Sequence, residues 1–130
     1  MPASLFQTRM LPERVDEIAP DGSEIRRLCR SDRASLVHVL LPPEQVSSAV
    51  RHRSVEELWY FLSGRGELWR SHAGREEVVA VSAGVAVTIP VGAAFQFRAL
   101  GTEPLAAVCM TIPPWPGDVE AEPSTGPWSG

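Results

Sequence analysis

The sequence contains no lysine and no asparagine, and only two of its 130 residues are cysteine. All twelve basic residues are arginine, which we ascribe to a GC-rich genome and from which we draw no functional conclusion. Cys29 and Cys109 lie 80 positions apart without a CxxC pair, which excludes a zinc-type spacing and a disulfide framework. We therefore expect two reduced, buried thiols.

Excess basic charge and long apolar runs are lacking as well. The formal net charge is −4, which makes nucleic acid a poor partner. The apolar runs fall far short of the ~20 residues that span a bilayer. The first ten residues, MPASLFQTRM, lack the charged-then-apolar order of a secretory signal. We expect a cytoplasmic protein that binds neither nucleic acid nor membrane.

Turn-forming residues divide the chain into many short segments of β-rich or alternating character. No amphipathic stretch of ten residues predicts a long helix, although residues 12–19 (PERVDEIA) favour a short helix after Pro12. Short strands at this spacing predict an all-β, antiparallel sandwich or barrel. The predicted strands are 24–29, 34–41, 47–52, 57–62, 66–71, 76–81, 85–89, 94–99 and 105–112.

The length predicts one domain with one core. We divide it into an N-terminal arm at 1–23, a β-barrel at 24–112 and a proline-rich tail at 113–130. Proline, glycine and acidic residues prevent the tail from joining a sheet interior. We expect it to pack on the barrel in an extended form, held by Trp115 and Trp128.

Residues 51–64 (RHRSVEELWYFLSG) place an acid directly before a run of large apolar side chains. In a strand, Glu57, Trp59 and Phe61 share one face. Turning that face to water would expose two aromatic rings, whose burial is worth several kcal/mol at ~25 cal/mol per Å². The pattern therefore predicts that Glu57 points inward, where a carboxyl group needs a partner.

His52 is the nearest candidate partner for Glu57 in the sequence. Only RSVE separates the two residues, and these four can form the turn of a hairpin. In that arrangement the two side chains face each other across neighbouring strands. Such a pair is either a buried ion pair without further role or a pair suited to acid–base chemistry.

The stretch resembles the first motif of the cupin superfamily, G(x)5HxH(x)3–4E(x)6G. His52 matches its second histidine, Glu57 its glutamate and Gly64 its last glycine. The second motif, G(x)5PxG(x)2H(x)3N, is matched in GVAVTIPVGAAFQF by Gly84, Pro90 and Gly92. The resemblance covers about residues 44–99 and implies a cupin-like jelly-roll barrel, a double-stranded β-helix.

The chain departs from the family pattern at the residues that usually bind metal. The first-motif glycine and first histidine, and the second-motif histidine and asparagine, are replaced by Glu44, Val50, Phe95 and Ala99. Metal-binding cupins use three histidines and one glutamate, so half of that ligand set is missing here. We expect no cofactor; the alternative is Fe, Mn, Ni or Zn held by His52 and Glu57 and completed by His38 or Cys109.

The period of two along the strands also predicts the lining of the barrel interior. It would hold one acid, one base and an aromatic wall, which suits a small, partly apolar organic molecule. The predicted lining residues are Val50, His52, Glu57, Trp59, Phe61, Phe95 and Phe97.

Three functions remain open from the sequence. The first is a small single-domain cupin that binds such a molecule without a metal. The second is a metal-independent isomerase, lyase or hydrolase with His52 and Glu57 as catalytic acid–base pair. The third is a metal-dependent oxygenase or isomerase. The nucleophile elbow, the phosphate-binding loop and the dinucleotide fingerprint are all absent, so the sequence does not identify a substrate.

The N-terminal arm predicts a role in self-association. Cupins are commonly dimers, so the resemblance implies a homodimer, and residues 4–8 (SLFQT) have the composition of a strand that adds to a neighbour's open sheet edge. Deleting residues 1–10 should weaken the dimer, measured as mass in solution against concentration. An unchanged mass would contradict this role.

Overall fold

The computed structural model describes residues 6–129, which form two antiparallel β-sheets. The strands are β1 (Glu17–Ile18), β2 (Glu24–Arg30), β3 (Ser35–Leu41), β4 (Val50–His52), β5 (Glu56–Ser63), β6 (Arg65–His72), β7 (Arg75–Ser82), β8 (Ala86–Ile89), β9 (Ala94–Leu100), β10 (Leu105–Ile112) and β11 (Ala121–Pro123). A single 3₁₀ turn at Asp118–Glu120 precedes β11. Within this range no helix has the length and hydropathy needed to cross a membrane.

Strands β3 to β10 have the connectivity of a jelly roll. One sheet has the order β1-β2-β3-β10-β5-β8 and the other β11-β4-β9-β6-β7. The chain passes between the two sheets, so that β10 lies between β3 and β5 while β9 lies between β4 and β6. This confirms the predicted all-β, antiparallel jelly roll. None of the described strands belongs to both sheets, so strand pairing does not close the barrel.

The helix suggested for residues 12–19 is wrong, because this segment contains β1 at the sheet edge. The backbone N–H of Asp16 donates to the carbonyl of Ile25, and the Asp16 carboxylate accepts from the N–H of Arg27. Glu17 forms an ion pair with Arg27 at 2.7 Å. An isolated helix of eight residues is marginal in water, so these contacts to β2 decide the conformation.

Segments near both ends of the described range lie against the sheets. In the tail, β11 pairs with β4 at an edge, where Pro123 opposes Val50. At the other end, the Gln7 side chain exchanges two hydrogen bonds with the backbone of Arg30. The segment proposed to add to a neighbour's sheet begins within residues 1–5, which lie outside the described residues.

Strand β5 alternates between buried and exposed side chains along most of its length. Glu57, Trp59 and Phe61 are each at most 5% exposed and point between the sheets. On the outer face, Leu58 and Tyr60 are almost half exposed in the single chain. The hydrophobic core between the sheets includes Leu41, Phe61, Leu68, Val81, Ile89, Phe97 and Leu105.

Substitution of Gly64, the last glycine of the first motif, tests how tightly the β5–β6 turn packs. Gly64 and Gly74 have left-handed φ angles of 77° and 79°, so alanine at either position costs about 1 kcal/mol in backbone strain. An added Cβ at Gly64 would press on the Pro104 carbonyl, whereas Gly74 has nothing within 4 Å. Gly64→Ala should therefore lower the free energy of unfolding by about 1–3 kcal/mol more than Gly74→Ala in urea denaturation. Equal losses would contradict this packing.

Candidate functional site

A cavity of about 500 Å³ lies between the two sheets. Both sheets, the β1–β2 turn and the C-terminal tail contribute to its wall. The inner lining includes Asp21, Ser23, Val39, Val50, His52, Glu57, Trp59, Phe95, Cys109, Thr111 and Trp115. The exposed residues at its mouth include Gln7, Arg9, Arg27, Arg30 and Asp118. The volume is in the range of small-molecule sites.

His52 and Glu57 face each other in this cavity, as neighbours across the β4–β5 turn. Nδ1 of His52 lies 3.8 Å from Oε2 of Glu57, which is too long for a direct hydrogen bond. The other carboxylate oxygen of Glu57 accepts a hydrogen bond from Nε1 of Trp59 at 2.9 Å. Among the described residues, Nδ1 of His52 has no hydrogen-bond partner, although the side chain is only 6% exposed. The gap between the two groups therefore offers polar atoms to a third molecule.

Burial raises the pKa of Glu57 to about 7. The hydrogen bonds from Trp59 and from the Cys109 thiol lower it, while the nearby Asp21 carboxyl group raises it further. Glu57 therefore exchanges its proton near neutral pH, as a carboxyl group in an apolar site does when no cation balances it.

Burial has the opposite effect on His52, whose pKa it lowers to about 4, against a smaller raising effect of Glu120. Phe95 and Trp115 enclose the imidazole, with ring centroids 5.2 Å and 5.0 Å from it in edge-on geometry. Between pH 4 and 7 the pair is accordingly a neutral imidazole beside a neutral carboxylic acid, and not the buried ion pair that the sequence left open.

The structure divides the predicted lining residues into two groups. Val50, His52, Glu57, Trp59 and Phe95 line the cavity. The other two, Phe61 and Phe97, are 99% buried in the core and do not border the cavity. Both side chains point inward like the lining residues of their strands, but they lie farther along those strands than Glu57 and Phe95. Both rings pack against Trp59. The period of two predicts which side chains point between the sheets, but it does not predict which of these border the cavity and which lie in the core.

His38, the possible additional metal ligand, lies on the other face of its sheet. It is paired across strands with Arg26 and Val108, and its strand neighbour Val39 points to the cavity instead. Burial and the charge of Arg26 lower its pKa. His38 therefore cannot complete a site with His52 and Glu57.

Cys109 points inward and Met110 outward, an alternative that spacing alone leaves open. Cys109 opposes Trp59 in the β5–β10 register and donates to Glu57, and burial raises the pKa of its thiol well above the ordinary value. It remains a protonated donor that supports the carboxyl group.

Asp21 and Trp115 also line the cavity, and the sequence interpretation assigned neither of them to the site. Asp21 belongs to the Pro-Asp-Gly turn at residues 20–22, and from the sequence this turn indicates only a boundary between segments. Asp21 is 7% exposed as a residue, and its carboxylate accepts hydrogen bonds from the backbone N–H and the hydroxyl of Ser23. Burial nevertheless raises its pKa against these hydrogen bonds. An acid in a turn is usually solvated, so no sequence signal marks this one as buried.

Glu120 fastens the tail to the turn that joins His52 to Glu57. Its carboxylate accepts hydrogen bonds from the backbone N–H and hydroxyl of Ser54 and from the N–H of Val55. Burial would raise its pKa, but these hydrogen bonds lower it overall. The carbonyl of Glu120 also accepts from the N–H of Arg53. The tail therefore holds the turn from which both site residues project.

The residues at the usual cupin metal position do not fit a metal ion. Val50 and Phe95 are direct neighbours across β4 and β9, so two of the four ligand positions carry apolar side chains that face each other. His52 and Glu57 supply two donors, whereas protein transition-metal sites usually have three or four. In residues 6–129 no group of three or more His, Cys, Asp or Glu side chains is placed to hold a metal.

Known proteins share the sequence pattern and the fold described above. A family model described as the cupin domain matches residues 37–111. The chain is 27% identical over 120 residues to the uncharacterized protein MJ1618 of Methanocaldococcus jannaschii, covering 85% of this chain and 93% of that protein. The structure of TT1209 from Thermus thermophilus has a TM-score of 0.63 at 20% identity, over 79% of this chain and 94% of that one. An oxalate decarboxylase structure has a TM-score of 0.64 at 17% identity, over 75% and 27%. At these identities the structural likeness shows the fold alone.

Removing Glu57 or His52 should change the pH dependence of stability in opposite directions. The pKa of Glu57 is about 7 in the folded chain, against 4.5 for a free side chain. As the pH rises between these values the unfolded chain loses this proton first, so the free energy of unfolding of wild type falls. Relative to wild type, Glu57→Gln should gain up to about 3 kcal/mol of unfolding free energy over that range. His52 resists protonation down to about pH 4 instead of 6.5, so His52→Gln should gain a similar amount as the pH falls between these values.

Urea denaturation at intervals from pH 4 to pH 8 measures both effects. Glu56→Gln and His72→Gln, which alter exposed residues, are the matched controls. Stability curves that run parallel to wild type in both site variants would show that neither group is shifted by burial.

Proposed function

The chain belongs to the cupin family, and from this premise we propose that it binds a small, partly apolar organic molecule between its sheets without a metal ion. The observation that carries the proposal is Nδ1 of His52, which has no hydrogen-bond partner within residues 6–129 and is buried beside the Glu57 carboxyl group in a cavity of about 500 Å³. A buried polar atom without a partner costs about 1–3 kcal/mol, and a ligand that bonds to it recovers that cost.

The walls of the cavity support a partly apolar ligand. Trp59, Phe95 and Trp115 present aromatic surface, and Val39 and Val50 add aliphatic surface. His52 and Glu57 offer polar atoms side by side, and Asp21, Ser23 and Thr111 add further polar groups to the lining. This arrangement orients a ligand through a few hydrogen bonds while most of its affinity comes from apolar contact.

A metal-independent enzyme is the second candidate, favoured by one specific observation. Glu57, with a pKa of about 7, can donate or accept a proton at neutral pH, and His52 is a free neutral base at the same pH. The ordinary order of the two pKa values is reversed, which is how acid and base roles are separated in many active sites. Glu57 would act as general acid and His52 as general base on a bound metabolite.

A thermal-shift screen of small metabolites tests the binding proposal. A ligand present at 100 times its Kd should stabilise wild type by about 2.7 kcal/mol, a shift of several degrees in Tm. His52→Ala should reduce the shift strongly because it removes the Nδ1 atom, whereas His72→Ala, at the exposed end of β6, should not. Ligand-induced shifts of equal size in wild type and His52→Ala would contradict the proposal.

Two further measurements on the same samples separate the alternatives. A ligand recovered unchanged by mass spectrometry supports a binding protein, and a ligand recovered as product supports the enzyme. One equivalent of Fe, Mn, Ni or Zn in the purified protein, lost on His52→Ala, would contradict the metal-free site.

A further inference from the structure

Besides His52 and Cys109, whose shifted pKa values favour their neutral forms, the titratable side chains buried in the cavity are acids. Asp21 and Glu57 are 7% and 5% exposed, and both line the cavity. The arginines that line it are exposed at the mouth, where Arg27 is paired with Glu17 at 2.7 Å and Arg9 with Asp16 at 3.9 Å. Among the described lining residues, an anionic ligand placed deep in the cavity would therefore meet two carboxyl groups and no buried arginine.

Aromatic side chains line the same cavity, and Trp59 donates a hydrogen bond to Glu57. Trp59 and Phe95 lie edge-on to each other with centroids 6.1 Å apart, and Trp115 packs on the other side of His52. Aromatic faces attract organic cations, most strongly where water is excluded. Acids and aromatic rings together form a site that selects positive charge on an apolar molecule.

The spacing of His52 and Glu57 matches a single bridging nitrogen. Hydrogen bonds of about 2.9 Å to each partner allow one donor atom to contact both Nδ1 and Oε2, which are 3.8 Å apart. An ammonium group has several N–H donors and no acceptor, so it can donate to a carboxylate and to the unprotonated nitrogen of a neutral imidazole at once. A carboxylate ligand has no donor for either.

From these contacts, and resting on the function proposed above, we propose that the ligand is an organic amine bound as its ammonium ion. The ammonium nitrogen donates to Oε2 of Glu57 and to Nδ1 of His52. The carbon skeleton lies against Trp59, Phe95 and Trp115, and Asp21 adds negative charge from the β1–β2 turn.

Amine binding should depend on pH because it requires the ionised form of Glu57. The groups that face Glu57 are His52 from β4, Asp21 from the β1–β2 turn and the Trp59 and Cys109 donors from β5 and β10. With a Glu57 pKa of about 7, affinity should rise about tenfold between pH 6 and pH 8, with release of a proton. The raised pKa of Asp21 acts in the same direction.

Titration calorimetry with three probes of one shape tests the inference: benzylamine, benzyl alcohol and benzoate. Alkylamines titrate near pH ~10, so benzylamine keeps its charge from pH 6 to pH 8. Benzylamine should bind at least tenfold more tightly than either other probe at pH 8. At pH 6, where Glu57 is mostly protonated before binding, its apparent enthalpy should vary with the ionisation enthalpy of the buffer, which reports the released proton.

Glu57→Gln should weaken benzylamine binding at least tenfold at pH 8 and reduce its pH dependence to the part that Asp21 contributes, while binding of benzyl alcohol is retained. Glu122→Gln is the control, since this carboxylate lies on the tail outside the cavity and pairs with Arg53. The wild-type pH and buffer series decides the question independently if the Glu57 variant does not fold.

The amine inference is overturned if benzyl alcohol or benzoate binds as tightly as benzylamine, if none of the probes binds, or if affinity is independent of pH. Binding of a neutral or anionic probe that is lost in His52→Ala would leave the small-molecule function standing. The two proposals therefore fail separately.

Discussion

The site depends on one constraint, the burial of the Glu57 carboxyl group between two apolar sheets. Strand β5 cannot expose Glu57 without also exposing Trp59 and Phe61, each at most 4% exposed. Burial has a clear electrostatic consequence, because the carboxyl group finds hydrogen bonds from Trp59 and Cys109 but no cation within the described residues. Burial therefore raises the pKa of Glu57, which keeps its proton at a pH where acids are normally ionised. Burial also lowers the pKa of His52, which is neutral at the same pH.

The C-terminal tail is part of this site as well as part of the surface. Glu120 bonds to the turn between β4 and β5, and Trp115 covers one side of the His52 ring. Because the turn connects the two polar residues directly, its position determines the distance between them. Residues from both ends of the chain, among them Asp21 and Trp115, thus contribute to a cavity whose centre is formed by the jelly roll.

The departures from the cupin motifs act together. Val50 and Phe95 oppose each other in the register of β4 and β9, so the two lost histidine positions form one continuous apolar wall. The backbone of the family is retained around this change. Glu44, at the position of the first motif glycine, has a left-handed φ of 64°, a conformation that glycine adopts at lower cost. The left-handed backbone is therefore present at the position of the motif glycine, while two of the four motif ligand positions carry apolar side chains.

The sequence alone determined the properties that follow from local spacing. The period of two assigned Glu57 and Trp59 to one face, and the turn residues separated the nine predicted strands, all of which are present. Only the tertiary structure decided which inward residues border the cavity. Phe61 and Phe97 share the direction of the lining residues but are covered by core contacts along the strand, while Asp21 and Trp115 reach the cavity from distant segments. The physical reason is that alternation is a property of neighbouring peptide units, whereas depth, cavity shape and pKa shifts arise from atoms brought together from both sheets and both chain ends.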